Sequence, residues 1–343
     1  MDELADWCRD VLRANAGVSG DGELTPLSGD ASFRRYFRYR VAGQSRVAVH
    51  APPEKEKNRE FVQVQALLAA AGVPVPAVLG YDEARGFLLL SDLGDRLLLP
   101  DLSAAHADRR YRQAIQQMVA MQVGVPSDAA LPAYDATRLH EEMALFPEWF
   151  LGRLLGYELS TAERAMLNGL FEQLVAEALK QPQVFVHRDY HARNIMILRD
   201  DSLATIDFQD AVIGPALYDP VSLFKDCYVR WPRERVLGWL HCYLDQSMAA
   251  GVLPADARDW VYAFDAMGLQ RHIKVLGIFA RLWLRDGKAA YLGDLTRVLG
   301  YVLEALALHE CFAQAHHWFG HVILPQAATQ AWFNEADLTQ VRT

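Results

Sequence analysis

Asp189, Asn194 and Asp207 are the residues whose types and spacing could do chemistry. The stretch from Asn194 to Asp207 has a polar turn, Arg199 to Ser202, between two apolar runs of equal length. That pattern predicts a β-hairpin. Equal arms bring Asn194 and Asp207 side by side at its open end. Asp189 stands five residues before Asn194, on the loop that feeds the hairpin. An amide and a carboxylate placed together offer oxygen ligands that suit a hard cation such as Mg²⁺. The remaining carboxylate, Asp189, can act as a base toward a hydroxyl nucleophile.

The spacing His187-Arg-Asp189 to Asn194, followed by Asp207-Phe208, is that of H-R-D-x-x-x-x-N with its Asp-Phe partner. On these residues the chain resembles the protein-kinase-like phosphotransferases. The Glu/Ala/Pro activation segment of protein kinases is missing. Asp207-Phe-Gln-Asp-Ala211 runs almost directly into Gly214-Pro-Ala-Leu-Tyr-Asp-Pro220. That short link resembles the aminoglycoside phosphotransferase family, whose members phosphorylate hydroxyls of small molecules. The resemblance implies ATP and Mg²⁺ as cofactors, with Asp189 orienting the acceptor hydroxyl and Asn194 and Asp207 holding the metal. Phosphoryl transfer needs alignment and charge neutralisation more than covalent help from the protein. It also implies that Asp219 braces the catalytic loop. A zinc reading of His187, Asp189 and His191 is poorer, because histidines four apart converge on a helix, and these precede a strand.

Several elements must position these groups. Residues 3 to 15 read as an amphipathic helix, followed by strands at 24–27, 33–41 and 46–50. A helix is expected from 54 to 71, closed by Gly72 and the Pro74/Pro76 pair. A further hairpin spans 78–81 and 87–90. From about residue 103 the pattern is mostly helical, with helices expected at 105–123, 138–155, 160–180, 218–229, 232–250, 256–282 and 288–315. The expected class is α+β, a protein-kinase-like two-lobe fold. Residues 1–94 would be the nucleotide-binding lobe with a leading helix, and 95–343 the helical catalytic and substrate-binding lobe.

For the nucleotide, the turn Ser28-Gly29-Asp30-Ala31-Ser32 stands where a phosphate-covering loop belongs, although it lacks G-x-G-x-x-G. Backbone N–H groups of a tight turn can cradle phosphate. Ser91, Asp92 and Leu93 would offer backbone groups to the adenine edge. Val47-Ala-Val-His50 occupies the place of V-A-I-K, which sets His50 where a phosphate-binding lysine is expected. Arg34, Lys55 or Lys57 could compensate. Glu60 is the candidate for the partner glutamate on the following helix.

Three further segments narrow the resemblance: Leu27 to Arg38, Phe87 to Gly94, and Leu269 to Arg281 with Arg285-Asp-Gly-Lys288. Together they are similar to the bacterial anomeric kinases of N-acetylmuramate and N-acetylglucosamine. The resemblance implies ATP-dependent phosphorylation of the C1 hydroxyl of these amino sugars, for cell-wall recycling. Glu142, Trp149, His191, Arg271 and Lys274 are then candidates for the sugar. Arg271 or Lys274 could meet a lactyl carboxylate. Trp149 on an apolar helix is more often core, and basic residues at helical spacing are more often a solvated face. An aminoglycoside or other small-molecule hydroxyl kinase is the nearest alternative. A catalytically silent binding module is the alternative of another class; the departure at His50 favours it and the intact Asp189/Asn194/Asp207 set opposes it.

Composition limits the rest. The chain has 343 residues and a net charge of −9. Such acidity does not suit a nucleic-acid or membrane-surface binder. Cys8, Cys227, Cys242 and Cys311 show neither C-x-x-C spacing nor a disulfide framework. The apolar stretch from Val275 is broken by Arg281 and Arg285, too early for a membrane span. A cytoplasmic monomer acting on a small molecule is expected.

Overall fold

Phe37, Tyr39 and Val41 alternate with Arg38 and Arg40, and a period of two makes one face of a strand apolar. In the computed structural model, which describes residues 2–17, 20, 22–27 and 33–342, this segment is a strand. The chain begins with α1 (Asp2–Ala16), β1 (Glu23–Pro26), β2 (Arg35–Val41), β3 (Gln44–His50) and α2 (Asn58–Ala70). β4 (Val78–Asp82), β5 (Phe87–Ser91) and the short α3 (Leu98–Asp101) follow. Next come α4 (Ala107–Gly124), α5 (Ala136–Met143), a π-helical stretch Phe146–Leu155, α6 (Thr161–Leu179) and β6 (Gln183–Val186). The hairpin strands β7 (Ile195–Ile197) and β8 (Leu203–Thr205) precede β9 (Val212–Pro215). Helices α7 (Tyr218–Phe224), α8 (Arg233–Ala249), α9 (Trp260–Asp286) and α10 (Leu295–Leu308) lead to short terminal helical turns. The chain divides into two compact units, Met1–Asp101 with Arg193–Ala211, and Leu102–Ala192 with Val212–Thr343.

The first unit carries an antiparallel sheet in the order β1-β2-β3-β5-β4. Its two faces have different partners. Leu4, Cys8 and Leu12 of α1 bury against Phe37, Tyr39, Val41, Ala48, Phe87 and Leu89. Full burial of a leucine side chain contributes roughly 1.5–3 kcal/mol, so this face fixes α1 firmly. On the other face, Tyr36, Val49, Leu88 and Leu90 line a small apolar hollow with Arg34 and with Phe61 of α2. The β7–β8 hairpin belongs to the same unit. Ile197 N–H donates to the Arg96 carbonyl at 2.7 Å and Thr205 N–H to the Pro74 carbonyl at 3.0 Å. Phe208, just past the hairpin, stacks on Phe61 with ring centroids 4.8 Å apart.

Helix α2 begins later than the periodicity predicts. The Pro52 carbonyl accepts from the N–H groups of Lys55 and Glu56, each at 3.0 Å, which closes a turn ahead of the helix. Asn58 then ties its amide to the Ala51 carbonyl at 2.7 Å.

In the second unit α9 is the buried axis. Gly277 lets it approach the start of the π-helical stretch: a Cβ there would lie 2.4 Å from the Leu145 carbonyl carbon. The helix expected over 218–229 stops at Phe224. Asp226 turns the chain instead, accepting N–H donors from Tyr228 at 3.0 Å and Ala192 at 3.1 Å. The helix expected over 288–315 is shorter as well, with a 3₁₀ turn at Ala289–Asp294 before α10. No helix among the described residues is long and apolar enough to cross a membrane.

Candidate active site

The hairpin carries Asn194 and Asp207 within the first unit. Ile195 pairs with Thr205 and Ile197 with Leu203. Beyond them, Ile206 N–H donates to the Asn194 carbonyl at 3.0 Å. The ladder therefore brings Asn194 and Asp207 together: the Asn194 amide donates to Asp207 Oδ2 at 3.3 Å. Gln209 donates to the other oxygen, Oδ1, at 2.8 Å. Asp207 has φ +64°, in the left-handed region. For a residue with a Cβ such backbone costs about 1–3 kcal/mol, and it persists where surrounding structure enforces it, often at functional sites. The donor set is a carboxylate beside an amide, both oxygen-bearing. That chemistry fits Mg²⁺, which takes one or two protein oxygens and fills its octahedron from water and phosphate. Among the described residues no cluster of three or more His, Cys, Asp or Glu is placed to hold a metal, so His187, Asp189 and His191 do not form a zinc set.

The loop that carries Asp189 belongs to the second unit. The fully buried Asp219 carboxylate accepts the His187 N–H at 2.7 Å and the Arg188 N–H at 3.0 Å. Burial pushes its carboxyl up to about 6, against the opposing pull of His187 and those two N–H groups. Tyr190 anchors the same loop through its hydroxyl, which donates to the Ala114 carbonyl or Gln117 Oε1, at 2.9 and 2.8 Å. Arg188 takes φ +74°, so the loop carries strained backbone immediately before Asp189. The Asp189 side chain remains 46% exposed, with Arg271 Nη2 4.0 Å from its Oδ1. Partial burial pushes the Asp189 carboxyl up. Arg271 first, then His191, Lys274 and Arg188, outweigh that and hold it at about 2.

Arg271 and Lys274 lie three apart on α9 and so share a face. Both are buried and turned to internal partners. Arg271 donates to the Arg188 carbonyl and to the Tyr218 hydroxyl, each at 2.9 Å. Lys274 donates to the same hydroxyl at 2.9 Å and pairs with Glu142 at 2.8 Å. Glu142 also takes the Arg188 guanidinium and the Tyr134 hydroxyl. Burial pushes the Glu142 carboxyl up, and Lys274 and Arg188 more than reverse it. The sequence offered Glu142, Arg271 and Lys274 as sugar contacts; the structure joins them in one ion network that ends on Asp189. His191 is half-buried, edge-on to Tyr228 at 5.3 Å. Trp149 is half-buried, with Arg153 4.0 Å above its ring. Tyr134 and Tyr218 are network members that sequence reasoning missed, since nothing in their spacing marks them.

Among the nucleotide candidates, Gly29, Asp30, Ala31 and Ser32 lie outside the described residues. The Ser91 N–H donates to the Ala77 carbonyl at 2.9 Å, and its hydroxyl accepts the Ala77 N–H at 2.8 Å. The Asp92 carboxylate is a brace, taking Arg38 at 2.8 Å, the Ser45 hydroxyl and the Gly94 N–H at 2.9 Å. Leu93 follows in the irregular link between β5 and α3. His50 does not stand where the motif alignment set it. Its cross-strand partners are Arg35 and Phe87, and its ring meets Phe87 edge-on at 5.5 Å. That is the α1 face of the sheet. The β3 residue on the α2 face is Val49, one position earlier. Glu60 is exposed on α2, and the glutamate that meets a buried cation is Glu56, paired with Arg34 at 3.2 Å.

Comparison with known proteins agrees with this arrangement. The model of the phosphotransferase enzyme family matches residues 23–251. The chain is 46% identical over 305 residues to an N-acetylmuramate/N-acetylglucosamine kinase of Pseudomonas putida, covering 88% of this chain and 89% of that one. It is 47% identical over 286 residues to a protein of the same name from Pseudomonas aeruginosa, covering 83% and 84%. Among solved structures, the ADP-bound aminoglycoside phosphotransferase APH(2'')-Ib superposes with a TM-score of 0.57 at 15% identity, over 88% of this chain and 98% of that one. Choline kinase LicA from Streptococcus pneumoniae gives 0.59 at 12%, over 88% and 99%. The fold is thus the protein-kinase-like α+β class, and the chain belongs to the phosphotransferase enzyme family of the aminoglycoside phosphotransferase type.

Proposed function

We propose that this protein transfers the γ-phosphoryl group of ATP to the anomeric hydroxyl of N-acetylmuramate and N-acetylglucosamine, giving the sugar 1-phosphates. The observation that carries this reading is the 46–47% identity, over most of both chains, to kinases named for those two sugars. A new O–P bond forms at sugar carbon 1, the bridging bond to the β-phosphate breaks, and ADP leaves. Asp189 orients the hydroxyl as an ionised, half-exposed carboxylate and receives its proton as the bond forms. The anomeric hydroxyl is more acidic than an ordinary sugar alcohol, which eases loss of its proton to a carboxylate that is ionised at neutral pH. Asn194 and Asp207 would hold Mg²⁺, which neutralises phosphate charge when bound. Half-exposed Trp149 and His191 remain the candidates for direct contact with the sugar. Arg271 and Lys274 support the site from beneath by setting the charge of Asp189 and Glu142. Such a product fits peptidoglycan sugar recycling. An acceptor panel with ATP and Mg²⁺, product position read by phosphorus NMR, tests the reading.

A further inference from the structure

A kinase-like sheet without its β3 lysine needs another cation for the nucleotide phosphates. Three features of the first unit bear on which residue supplies it. First, the β3 position facing α2 is Val49, an apolar residue, while His50 faces α1. Second, Arg34 lies buried on the α2 face, its guanidinium 5.3 Å from the Phe61 ring centre. Glu56 holds it at 3.2 Å and the Lys57 carbonyl accepts from it at 3.1 Å. Glu56 also accepts the Phe33 N–H at 2.8 Å, so one carboxylate fixes both the guanidinium and the backbone beside it. Third, Arg34 is close to the hairpin end. Phe61 beneath it stacks on Phe208, the neighbour of Asp207. The Tyr36 hydroxyl answers to both groups: burial raises its pKa first, Arg34 lowers it by charge and hydrogen bond, and Asp207 and Glu56 raise it.

The other nearby lysines are committed elsewhere. Lys57 is half-exposed and pairs with Asp210 at 2.6 Å. Lys55 sits 4.4 Å over the Phe33 ring. A buried arginine held by a glutamate has the fixed charge and forked donors that phosphate recognition uses.

We propose that Arg34, anchored by Glu56, is the residue that binds the nucleotide phosphates in place of the absent β3 lysine, and that it reaches them from the residue before β2 rather than from β3. The assignment rests on the phosphotransfer reading above. It is independent of which sugar is the acceptor.

The test is calorimetric binding of Mg·ADP and of adenosine to the purified protein and its variants, with melting temperature recorded for each. Arg34→Ala should weaken Mg·ADP roughly ten- to hundredfold, the range for a lost charged hydrogen bond, and leave adenosine unchanged. Arg34→Lys should recover much of the loss, and Glu56→Gln should reproduce part of it. Arg35→Ala, one residue on but across the sheet, should change neither ligand. If Arg34→Ala does not fold, the Arg34→Lys and Glu56→Gln ratios decide. Equal losses for ADP and adenosine, or an unaltered ratio in all the Arg34 and Glu56 variants, would overturn the assignment alone. A parent protein that binds no Mg·ADP would overturn the phosphotransfer reading and this assignment with it.

Discussion

The Arg271 guanidinium stands 4.0 Å from the Asp189 carboxylate and is the strongest of the pulls that oppose its burial. The folded pKa of Asp189, about 2, lies below its ordinary 3.8. Its contribution to stability is therefore complete above pH 3.8 and is lost only as pH falls toward about 2. Between pH 7 and 5 the turnover number should not fall through this group. Arg271→Met leaves burial less opposed, so the acid limb of kcat should move up by about one pH unit. Arg271→Lys should restore most of the parent profile. An unchanged profile in Arg271→Met, with the fold intact by circular dichroism, would remove Arg271 from this role.

Asp207 and Asp189 should separate binding from chemistry. Asp207→Ala removes the only carboxylate of the Asn194/Asp207 pair and should abolish metal-dependent ADP binding in calorimetry. Asp189→Ala should bind Mg·ADP as the parent does while kcat falls by about 10²–10⁴. Undiminished turnover in Asp207→Ala would remove it from the metal site.

Glu142 links Lys274, Arg188 and Tyr134 in a mostly buried cluster. Removing one member of a buried ion group strands the others and typically costs about 3–5 kcal/mol. Glu142→Gln should lower the unfolding free energy by an amount in that range in denaturant titration. The exposed pair Arg59–Glu83 makes the comparison: Glu83→Gln should change stability by less than about 1 kcal/mol. Glu142→Gln with parent stability and a raised KM for sugar would instead make Glu142 a substrate contact.

Gly277 marks a backbone crossing, since an added Cβ would fall 2.4 Å from the Leu145 carbonyl carbon. Gly277→Ala should destabilise the second unit by about 1–3 kcal/mol, despite alanine's better helix propensity. A raised melting temperature would show that the two segments separate easily.

Much of this was legible in the sequence where periodicity and local spacing decide the outcome. The equal arms around Arg199–Ser202 gave the hairpin, and hence the adjacency of Asn194 and Asp207, because a two-stranded register follows from the turn. His50 was not legible. Its strand was found, but a shift of one residue exchanges the faces of a strand, and only the packing of Leu4 and Phe87 decides which face α1 covers. Arg34 was one of several cations within a short stretch, and nothing local distinguishes it; its burial comes from Glu56 and Phe61 together. The network from Asp189 to Tyr134 joins residues far apart in sequence, so spacing carries no trace of it. The helix end at 224 was missed for a related reason: Asp226 turns the chain through contacts the periodic pattern does not contain.

The identity of the acceptor atom is tested most directly by phosphorus NMR of the products formed from ATP, Mg²⁺ and a panel of sugars. N-acetylmuramate and N-acetylglucosamine should each give a phosphorus signal coupled to the anomeric proton, and glucose should react poorly because it lacks the acetamido group. Phosphate on carbon 6, or product formed only from an aminoglycoside, would contradict the account.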